Sequence, residues 1–210
     1  MKCYLSSYKF GNCIDKLQSM IPVNRKIGHI INARDFTAAD PARKRVTQTE
    51  EIQRLNQLGF DAEVIDLKDY FHQEEALRSK LNTLGGVWVS GGNTFVLRQA
   101  MRLSGFDVII KELSQKSNFL YAGYSAGICV LSKSIRTSRL VDTPTDFPYP
   151  GIQETIWEGL GFFDYEFLPH YDSAHPESED TGKAIQYCID NKVLFKALRD
   201  GEIIAIENIS

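Results

Sequence analysis

Residues 119–131 read FLYAGYSAGICVL, and this segment is the strongest indication of the fold class. An apolar run is followed by Gly-x-Ser-x-Gly at residues 123–127 and then by a second apolar run. The pattern predicts a buried strand, a sharp turn and a helix, with the Ser125 hydroxyl lifted out of the sheet as a nucleophile. The alternative is a plain tight turn in which Ser125 only caps the helix. The motif alone does not separate the two.

Short apolar segments alternate with amphipathic stretches along the rest of the chain, as in a parallel sheet covered by helices. We expect strands at residues 3–5, 26–31, 63–67, 86–90, 119–123, 162–168, 194–198 and 203–206. We expect helices at residues 47–58, 74–81, 108–113 and 181–191, after residue 94, and after Ser125. Three prolines make residues 143–151 a loop. The prediction is a single-domain α/β fold over residues 1–210, a mainly parallel sheet with helices on both faces.

The charge balance excludes several function classes. The chain has 24 basic and 27 acidic residues, a formal net charge of -3, so a general nucleic-acid partner is not expected. No apolar run reaches the roughly 20 residues that cross a bilayer, and the first residues lack the apolar core of a signal peptide. The four cysteines are scattered and are interpreted as reduced thiols. The expected location is therefore the cytoplasm, with no membrane partner.

A second glycine-rich turn follows the strand at residues 86–90. Backbone N–H groups at such a strand end can receive an anion. We therefore expect an oxyanion hole formed by the N–H groups of Ala126 and Gly92, with Gly91 close by and Asn93 orienting the loop or the substrate. A plain turn is the alternative. Neither dinucleotide-binding nor P-loop spacing is present, so a phosphate site is disfavoured.

His170 is the candidate general base, since it follows a predicted strand and Pro169 fixes the backbone before it. His175 is expected to line the pocket or face solvent. These two histidines, with Asp172 and Glu177 nearby, could bind zinc, but no helical spacing fixes them, so no metal is predicted. No organic cofactor is needed either.

The acid that would orient His170 is less well determined by the sequence. Asp200 lies in a turn at one more strand end and is preferred. Its neighbour Glu202 is one alternative. Asp142, between the serine and the histidine in the chain, is the other. A turn aspartate before glycine is often only a turn former.

The combined motifs resemble the peptidase E family of serine peptidases, which includes dipeptidase E-like enzymes and, more distantly, cyanophycinases. The resemblance rests on GGNTF at 91–95, GYSAG at 123–127, Ile-Arg-Thr at 135–137 and Pro-His at 169–170, and covers most of the chain. It implies a flavodoxin-like fold related to class I glutamine amidotransferases, with serine replacing their cysteine. It also implies a triad of Ser125, His170 and Asp200. Older readings of the family place the acid near Asp142.

One departure from the family concerns specificity. Dipeptidase E-like members cleave after an N-terminal aspartate and look to use an arginine downstream of the histidine. Residues 177–183 here are acidic and contain no arginine, so Lys183, Arg136 or Arg139 would have to take that role. Aspartyl preference therefore does not follow from the resemblance.

The predicted function is a serine peptidase acting on short peptides, with a small peptide substrate as its partner. An α/β-hydrolase-type esterase that uses Ser125, Asp142 and His170 in that chain order is the first alternative. A non-catalytic binding module on the same fold is the second. The sequence indicates no oligomeric partner.

Overall fold

Eight strands form within residues 1–209, the part of the chain that the computed structural model describes. They are β1 (Lys2–Ser6), β2 (Lys26–Ile30), β3 (Asp61–Val64), β4 (Gly86–Val89), β5 (Leu120–Tyr124), β6 (Glu166–Leu168), β7 (Phe195–Ala197) and β8 (Ile203–Ile206). Six of them make one sheet in the order β3-β2-β4-β5-β1-β8. Every pairing in this sheet is parallel except that of β8, which runs antiparallel to β1.

Helices cover both faces of this sheet. They are α1 (Ile14–Ser19), α2 (Pro41–Gln57), α3 (Glu74–Leu81), α4 (Thr94–Ser104), α5 (Phe106–Leu113), α6 (Ala126–Cys129) and α7 (Ser178–Asn191). On one face of the sheet, Leu17 of α1 and Leu55 of α2 pack in one cluster with Trp88 of β4. On the other, α3, α4 and α5 pack on Val87 and Val89. The predicted α/β class, a mainly parallel sheet between helices, is confirmed.

Two pairs of strands position the predicted site. β4 and β5 are neighbours, with Val89 opposite Gly123, so the two glycine-rich turns that follow them lie side by side. β6 and β7 form a separate parallel pair in which Leu168 lies opposite Ala197. His170 and Asp200 each follow one of these strands by two or three residues. Parallel pairing therefore carries both side chains to the same edge.

Several predicted boundaries were wrong, each for a local reason. The strand expected at 63–67 ends at Val64, because the Asp66 side chain accepts a hydrogen bond from Lys68 N–H and starts a 3₁₀ helix, Leu67–Tyr70. The strand expected at 162–168 is only Glu166–Leu168, since the N–H groups of residues 162 and 163 bond to the Leu131 carbonyl instead. The helix expected from residue 47 begins at Pro41, where Asp40 caps it.

The helix after the serine is also shorter than its apolar run indicates. α6 has four residues, so the positive potential that its N-terminus adds at Ser125 is small. Residues 143–151 form the predicted loop. The cysteines at 3, 13, 129 and 188 are all unpaired. Among residues 1–209, no helix combines the length and the apolar character that crossing a membrane requires.

Candidate active site

Ser125 occupies a strained turn between β5 and α6. Its φ of 51° and ψ of -120° lie in a region that non-glycine residues rarely adopt. Glycine is required on both sides, because a Cβ on Gly123 would lie 2.5 Å from the Val89 carbonyl oxygen and one on Gly127 would lie 2.2 Å from it. The Ser125 N–H bonds to the Ser6 carbonyl at 3.3 Å, which ties the turn to β1. Strain held by such close packing is characteristic of functional positions.

The second glycine-rich turn lies directly against the serine. A Cβ on Gly91 would be 2.8 Å from Ser125 Cβ, and Gly92, at a φ of 149°, packs against the Ala33 carbonyl oxygen, which a Cβ would approach to 2.4 Å. Asn93 caps α4 by accepting hydrogen bonds from the N–H groups of residues 95 and 96. Its own N–H bonds to Ala33. Asn93 is therefore built into the scaffold of the loop.

The two predicted oxyanion donors are available for a ligand. In the described part of the chain, neither the Gly92 N–H nor the Ala126 N–H donates to a protein acceptor. Gly92 lines the cleft that contains Ser125, and Ala126 lines an adjoining small cavity that Ser125 and His170 also line. Free N–H groups beside a serine hydroxyl are what stabilisation of an oxyanion requires.

His170 and Asp200 form a close pair. His170 Nδ1 lies 2.7 Å from Asp200 Oδ1, and the imidazole is almost fully buried. Ser7 braces both residues, since its hydroxyl accepts from the His170 N–H at 2.8 Å and donates to Asp200 Oδ1 at 3.0 Å. An ionised carboxylate can only accept hydrogen bonds, so the short contact between Asp200 Oδ1 and His170 Nδ1 assigns the imidazole proton to Nδ1. The unprotonated Nε2 is then free to act as a base.

Burial lowers the pKa of His170 below its usual value, and the positive charge of His175 adds to the decrease. The hydrogen bond to Asp200 opposes it. The imidazole therefore stays neutral, and able to take a proton, to lower pH than an exposed histidine.

Ser125 and His170 line one cleft of about 520 Å³, together with Gly92 and Asp200. The structure gives no hydrogen bond between the serine hydroxyl and the imidazole within residues 1–209. Catalytic hydrogen bonds are often long in unliganded enzymes and shorten only in the complex with substrate, so this spacing is compatible with a serine–histidine pair.

The two alternative acids contact other groups. Asp142 also lines the cleft, but its carboxylate accepts from the Thr94 N–H at 2.9 Å. Burial raises the pKa of Asp142 to about 6. Glu202 is exposed and accepts from the Arg199 N–H at 2.8 Å. Of the three candidates, Asp200 is the one that the structure places on the histidine.

His175 is stacked on His170, which the sequence did not predict. The two rings lie 3.7 Å apart and within 9° of parallel. Glu177 Oε2 lies 3.8 Å from His170 Nε2. Burial raises the pKa of Glu177 to about 7, with Asp142 adding to the rise and Arg34 opposing it.

His170, His175 and Glu177 place one potential metal ligand each within 4.8 Å of one another. The fit to a metal is nevertheless poor. The nitrogen lone pairs of each imidazole lie in the plane of its ring, and two nearly parallel planes stacked 3.7 Å apart do not meet at one ion. His170 Nδ1 is also engaged by Asp200, and His175 Nδ1 accepts from the Glu177 N–H at 3.3 Å.

A buried polar network beneath the Ser125 turn is the main feature of the site that the sequence does not predict. The Glu51 carboxylate, on α2, accepts hydrogen bonds from Ser90, Tyr124, Trp88 and His29. Burial raises its pKa, but these bonds, led by that from His29, hold the pKa below the usual value. Ser90 and Tyr124 immediately precede the two glycine-rich turns, so one carboxylate fixes both.

The cations expected to take over from the family's arginine do not line the cleft. Arg136 lies over the Trp157 ring, Arg139 lies over Tyr187, and Lys183 is exposed between Glu179 and Asp180. The cleft-lining cations are instead Arg34 and Arg43, at the carboxyl end of β2 and in the first turn of α2. The position of Arg34 just after a strand, like that of the other site residues, is the signal that could have identified it.

Comparison with known proteins places the chain in one group. Residues 37–210 match the sequence profile of "Peptidase family S51". "Uncharacterized peptidase Lmo0363" of Listeria monocytogenes is 30% identical over 132 residues, 62% of this chain and 60% of the relative. "Probable alpha-aspartyl dipeptidase" of Drosophila melanogaster is 27% identical over 158 residues, 73% of this chain and 60% of the relative. The matched segments span 39% to 60% of the lengths of the curated relatives.

Solved structures share the fold over almost the whole chain. The crystal structure of a "Putative Peptidase E Protein" from Listeria monocytogenes EGD-e has a TM-score of 0.74 at 22% identity, covering 98% of this chain and 97% of that one. A peptidase from an acI-B1 Actinobacterium has a TM-score of 0.68 at 15% identity, covering 98% and 82%. At these identities the likeness concerns the fold.

Proposed function

The chain belongs to peptidase family S51, and from that premise we propose that it is a serine peptidase that hydrolyses short peptides through Ser125, His170 and Asp200. The observation that carries the proposal is the 2.7 Å pair of His170 and Asp200 in the cleft of the strained Ser125. The cytoplasmic location expected from the sequence remains part of the proposal, supported by four unpaired cysteines.

The reaction follows from the roles of these three side chains. Ser125 Oγ attacks the peptide carbonyl carbon as His170 Nε2 takes the hydroxyl proton. Negative charge develops on the carbonyl oxygen, where the N–H groups of Gly92 and Ala126 receive it. His170 then gives the proton to the leaving amine, and an acyl group remains on Ser125. Water, deprotonated by the same imidazole, hydrolyses this ester. Throughout the reaction Asp200 accepts a hydrogen bond from the Nδ1–H group of His170 and stabilises the imidazolium.

The short-peptide substrate class is supported by the cleft and by the relatives. A volume of about 520 Å³ suits a ligand of a few residues. Relatives named alpha-aspartyl dipeptidase and peptidase E point in the same direction. Asp142, Glu177 and Asp200 also line this cleft, so an acidic substrate needs a specific cation to bind there.

The esterase alternative has less support. Its triad would require Asp142 to orient His170, whereas the Asp142 carboxylate is engaged by the Thr94 N–H. A non-catalytic binding module would need neither a strained serine nor a histidine held in one tautomer.

Labelling with a fluorophosphonate probe tests the proposal, because only an activated serine reacts readily with it. We expect the wild type to be labelled at one site and Ser125→Ala not to be labelled. Ser138→Ala is the matched control, since Ser138 lines the small cavity beside Ser125 without a triad of its own. Equal labelling of wild type and Ser125→Ala, or no labelling of either, would refute an activated Ser125.

A further inference from the structure

The Glu177 carboxylate lies beside the nitrogen of His170 that takes the serine proton in the proposed reaction. His170 Nδ1 is bonded to Asp200, so Nε2 is the atom that exchanges protons with Ser125 and the substrate. Glu177 Oε2 lies 3.8 Å from that Nε2. Glu177, Ser125 and His170 also line both the cleft and the adjoining small cavity. A carboxyl group at this place can exchange a proton with the imidazole, or with a group bound beside it, directly or through one water molecule.

Local hydrogen bonds hold Glu177 in this position. It directly precedes α7, and its backbone N–H donates to His175 Nδ1 at 3.3 Å. Thr181, in the first turn of α7, donates from its hydroxyl to the Pro169 carbonyl at 2.9 Å. Because Pro169 immediately precedes His170, the start of α7 and the histidine are fixed relative to each other.

No cation neutralises this carboxylate. Within residues 1–209, no lysine or arginine nitrogen lies within 4.0 Å of its oxygens, and the charged contacts it makes are with His170 and His175. The charged and titratable groups that surround it come from the turns after β2 and β7, the loop at residues 141–143, the segment between β6 and α7, and α7 itself: Arg34, Asp200, Asp142, His170, His175 and Asp180. Burial and the three aspartates raise the pKa of Glu177, although Arg34 opposes the rise.

Glu177 and His170 therefore differ in which of them carries a proton near neutral pH. The pKa of Glu177 is raised to about 7, whereas burial lowers the pKa of His170 below its usual value. A proton shared by two groups goes to the one with the higher pKa, so the free enzyme has a carboxylic acid beside a neutral imidazole. Environments that separate two pKa values in this way assign one group as the acid and the other as the base.

We propose that Glu177 is a further catalytic acid of the hydrolysis, which protonates the departing amine and regains its proton through His170 during deacylation. This inference rests on the proposed peptidase function. The protonated amine has no lone pair with which to attack the acyl-enzyme, so proton donation by Glu177 makes acylation irreversible while the amine is still in the cleft.

The protons balance over the cycle. In acylation the bond from Ser125 Oγ to the carbonyl carbon forms and the C–N bond breaks, and the serine proton passes through His170 to the amine. The carboxyl proton of Glu177 then converts this amine to an ammonium ion. Water next splits the Ser125 ester: one of its protons returns to Oγ through His170, and the proton of the new carboxylic acid passes through His170 to Glu177. Peptide and water thus yield a carboxylate and an ammonium ion, and the enzyme returns to its starting state.

Two substrates with one acyl group and different leaving groups test this assignment. They are the dipeptide X-Ala and the p-nitrophenyl ester of X, where X is whichever of Asp, Ala, Leu and Lys the wild type cleaves fastest as X-Ala. The phenolate leaves as an anion and needs no proton, whereas the amine does. We expect Glu177→Gln to lower kcat/KM for X-Ala by about 10²-fold and to leave that for the ester within about 3-fold of wild type. Glu179→Gln, which removes an acid from an exposed position of α7, is the matched control and should leave both unchanged.

The pH profile separates proton donation from a structural role. A carboxylic acid stops donating as pH rises through its pKa, so kcat/KM of the wild type for X-Ala should fall above pH about 7. This decrease should be absent in Glu177→Gln, because glutamine does not titrate in this range.

Several results would overturn the proposal: an equal loss for dipeptide and ester, no loss for the dipeptide, a wild-type profile without the decrease, or a decrease that persists in Glu177→Gln. Fluorophosphonate labelling of Ser125 involves no leaving amine and does not depend on Glu177. Normal labelling together with one of these results therefore refutes the role of Glu177 alone. Failed labelling of the wild type, or no cleavage of any X-Ala, refutes the proposed function.

Discussion

The hydroxyl of Tyr124 donates a 2.5 Å hydrogen bond to the carboxylate of Glu51, directly before the strained turn at Ser125. Glu51 reaches this position from α2 and is almost fully buried. The same carboxylate accepts from Ser90, at the start of the glycine-rich loop. The Ser125 turn and the Gly91–Gly92 loop are thus fixed relative to each other by a side chain that does not line the cleft.

Glu51→Gln tests that relationship. The amide nitrogen of glutamine would face a donor, leaving a buried group unpaired, so we expect unfolding free energy to fall by about 2–4 kcal/mol. Displacement of the Ser125 turn relative to the Gly91–Gly92 loop should lower kcat by about 10²-fold with little change in KM. Glu50→Gln, at the exposed neighbouring position, is the control. Wild-type kcat in a destabilised Glu51→Gln would show that the network serves stability only.

If Asp200 is the acid of the triad, isosteric variants of Asp200, Asp142 and Glu202 should differ in kcat. Because Asp200 contacts His170 Nδ1, Asp200→Asn should lower kcat by about 10⁴-fold by favouring the wrong tautomer. Asp142→Asn and Glu202→Gln should stay within about 10-fold of wild type, since their carboxylates bond to backbone N–H groups. Steady-state kinetics on one dipeptide would compare the three. A loss for Asp142→Asn as large as that for Asp200→Asn would assign the triad differently.

The pH dependence follows from the environment of His170. Only the neutral imidazole accepts a proton, and burial lowers its pKa, so the acid limb of kcat/KM should lie below pH about 6.5. His175→Asn removes the stacked ring and its charge, both of which lower that pKa. The limb should therefore move to higher pH. In both proteins Asp200 acts against burial and raises the pKa of His170.

His72→Asn is the matched control for this profile. His72 is exposed and has a φ of 60°, a conformation that asparagine tolerates well. Its profile should overlay that of the wild type. A wild-type limb above pH about 6.5, or a shift to lower pH in His175→Asn, would contradict the assigned environment.

Much of the site could be predicted from the sequence because its residues lie in the turns that directly follow strands. The turns after β4 and β5 carry glycine signatures, and the parallel pairing of these strands brings the turns to one edge of the main sheet. The parallel pairing of β6 and β7 likewise brings together the turns that carry His170 and Asp200. The proximity of His170 and Asp200 follows from such pairing alone. The need for glycine at residues 123 and 127 could likewise be predicted, since both positions pack closely on the backbone of Val89.

The remaining features depend on tertiary contacts that leave no local pattern. Glu51 lies in the charged segment TEE, which reads as a solvated helix face, and only the packing of α2 on the sheet buries it. The stacking of His175 on His170 depends on the path of an irregular loop. The brevity of α6 is hidden by the apolar run at 128–131, which continues into a turn.

Ser125 is proposed here as the nucleophile of a short-peptide hydrolase. The most direct measurement is hydrolysis of a panel of dipeptides and aminoacyl p-nitroanilides, with Asp, Ala, Leu or Lys at the first position, by wild type and Ser125→Ala. We expect the wild type to cleave at least one class of substrate and Ser125→Ala to lose at least about 10⁴-fold of that activity. Undiminished cleavage by Ser125→Ala, or none of the panel cleaved by the wild type, would contradict it.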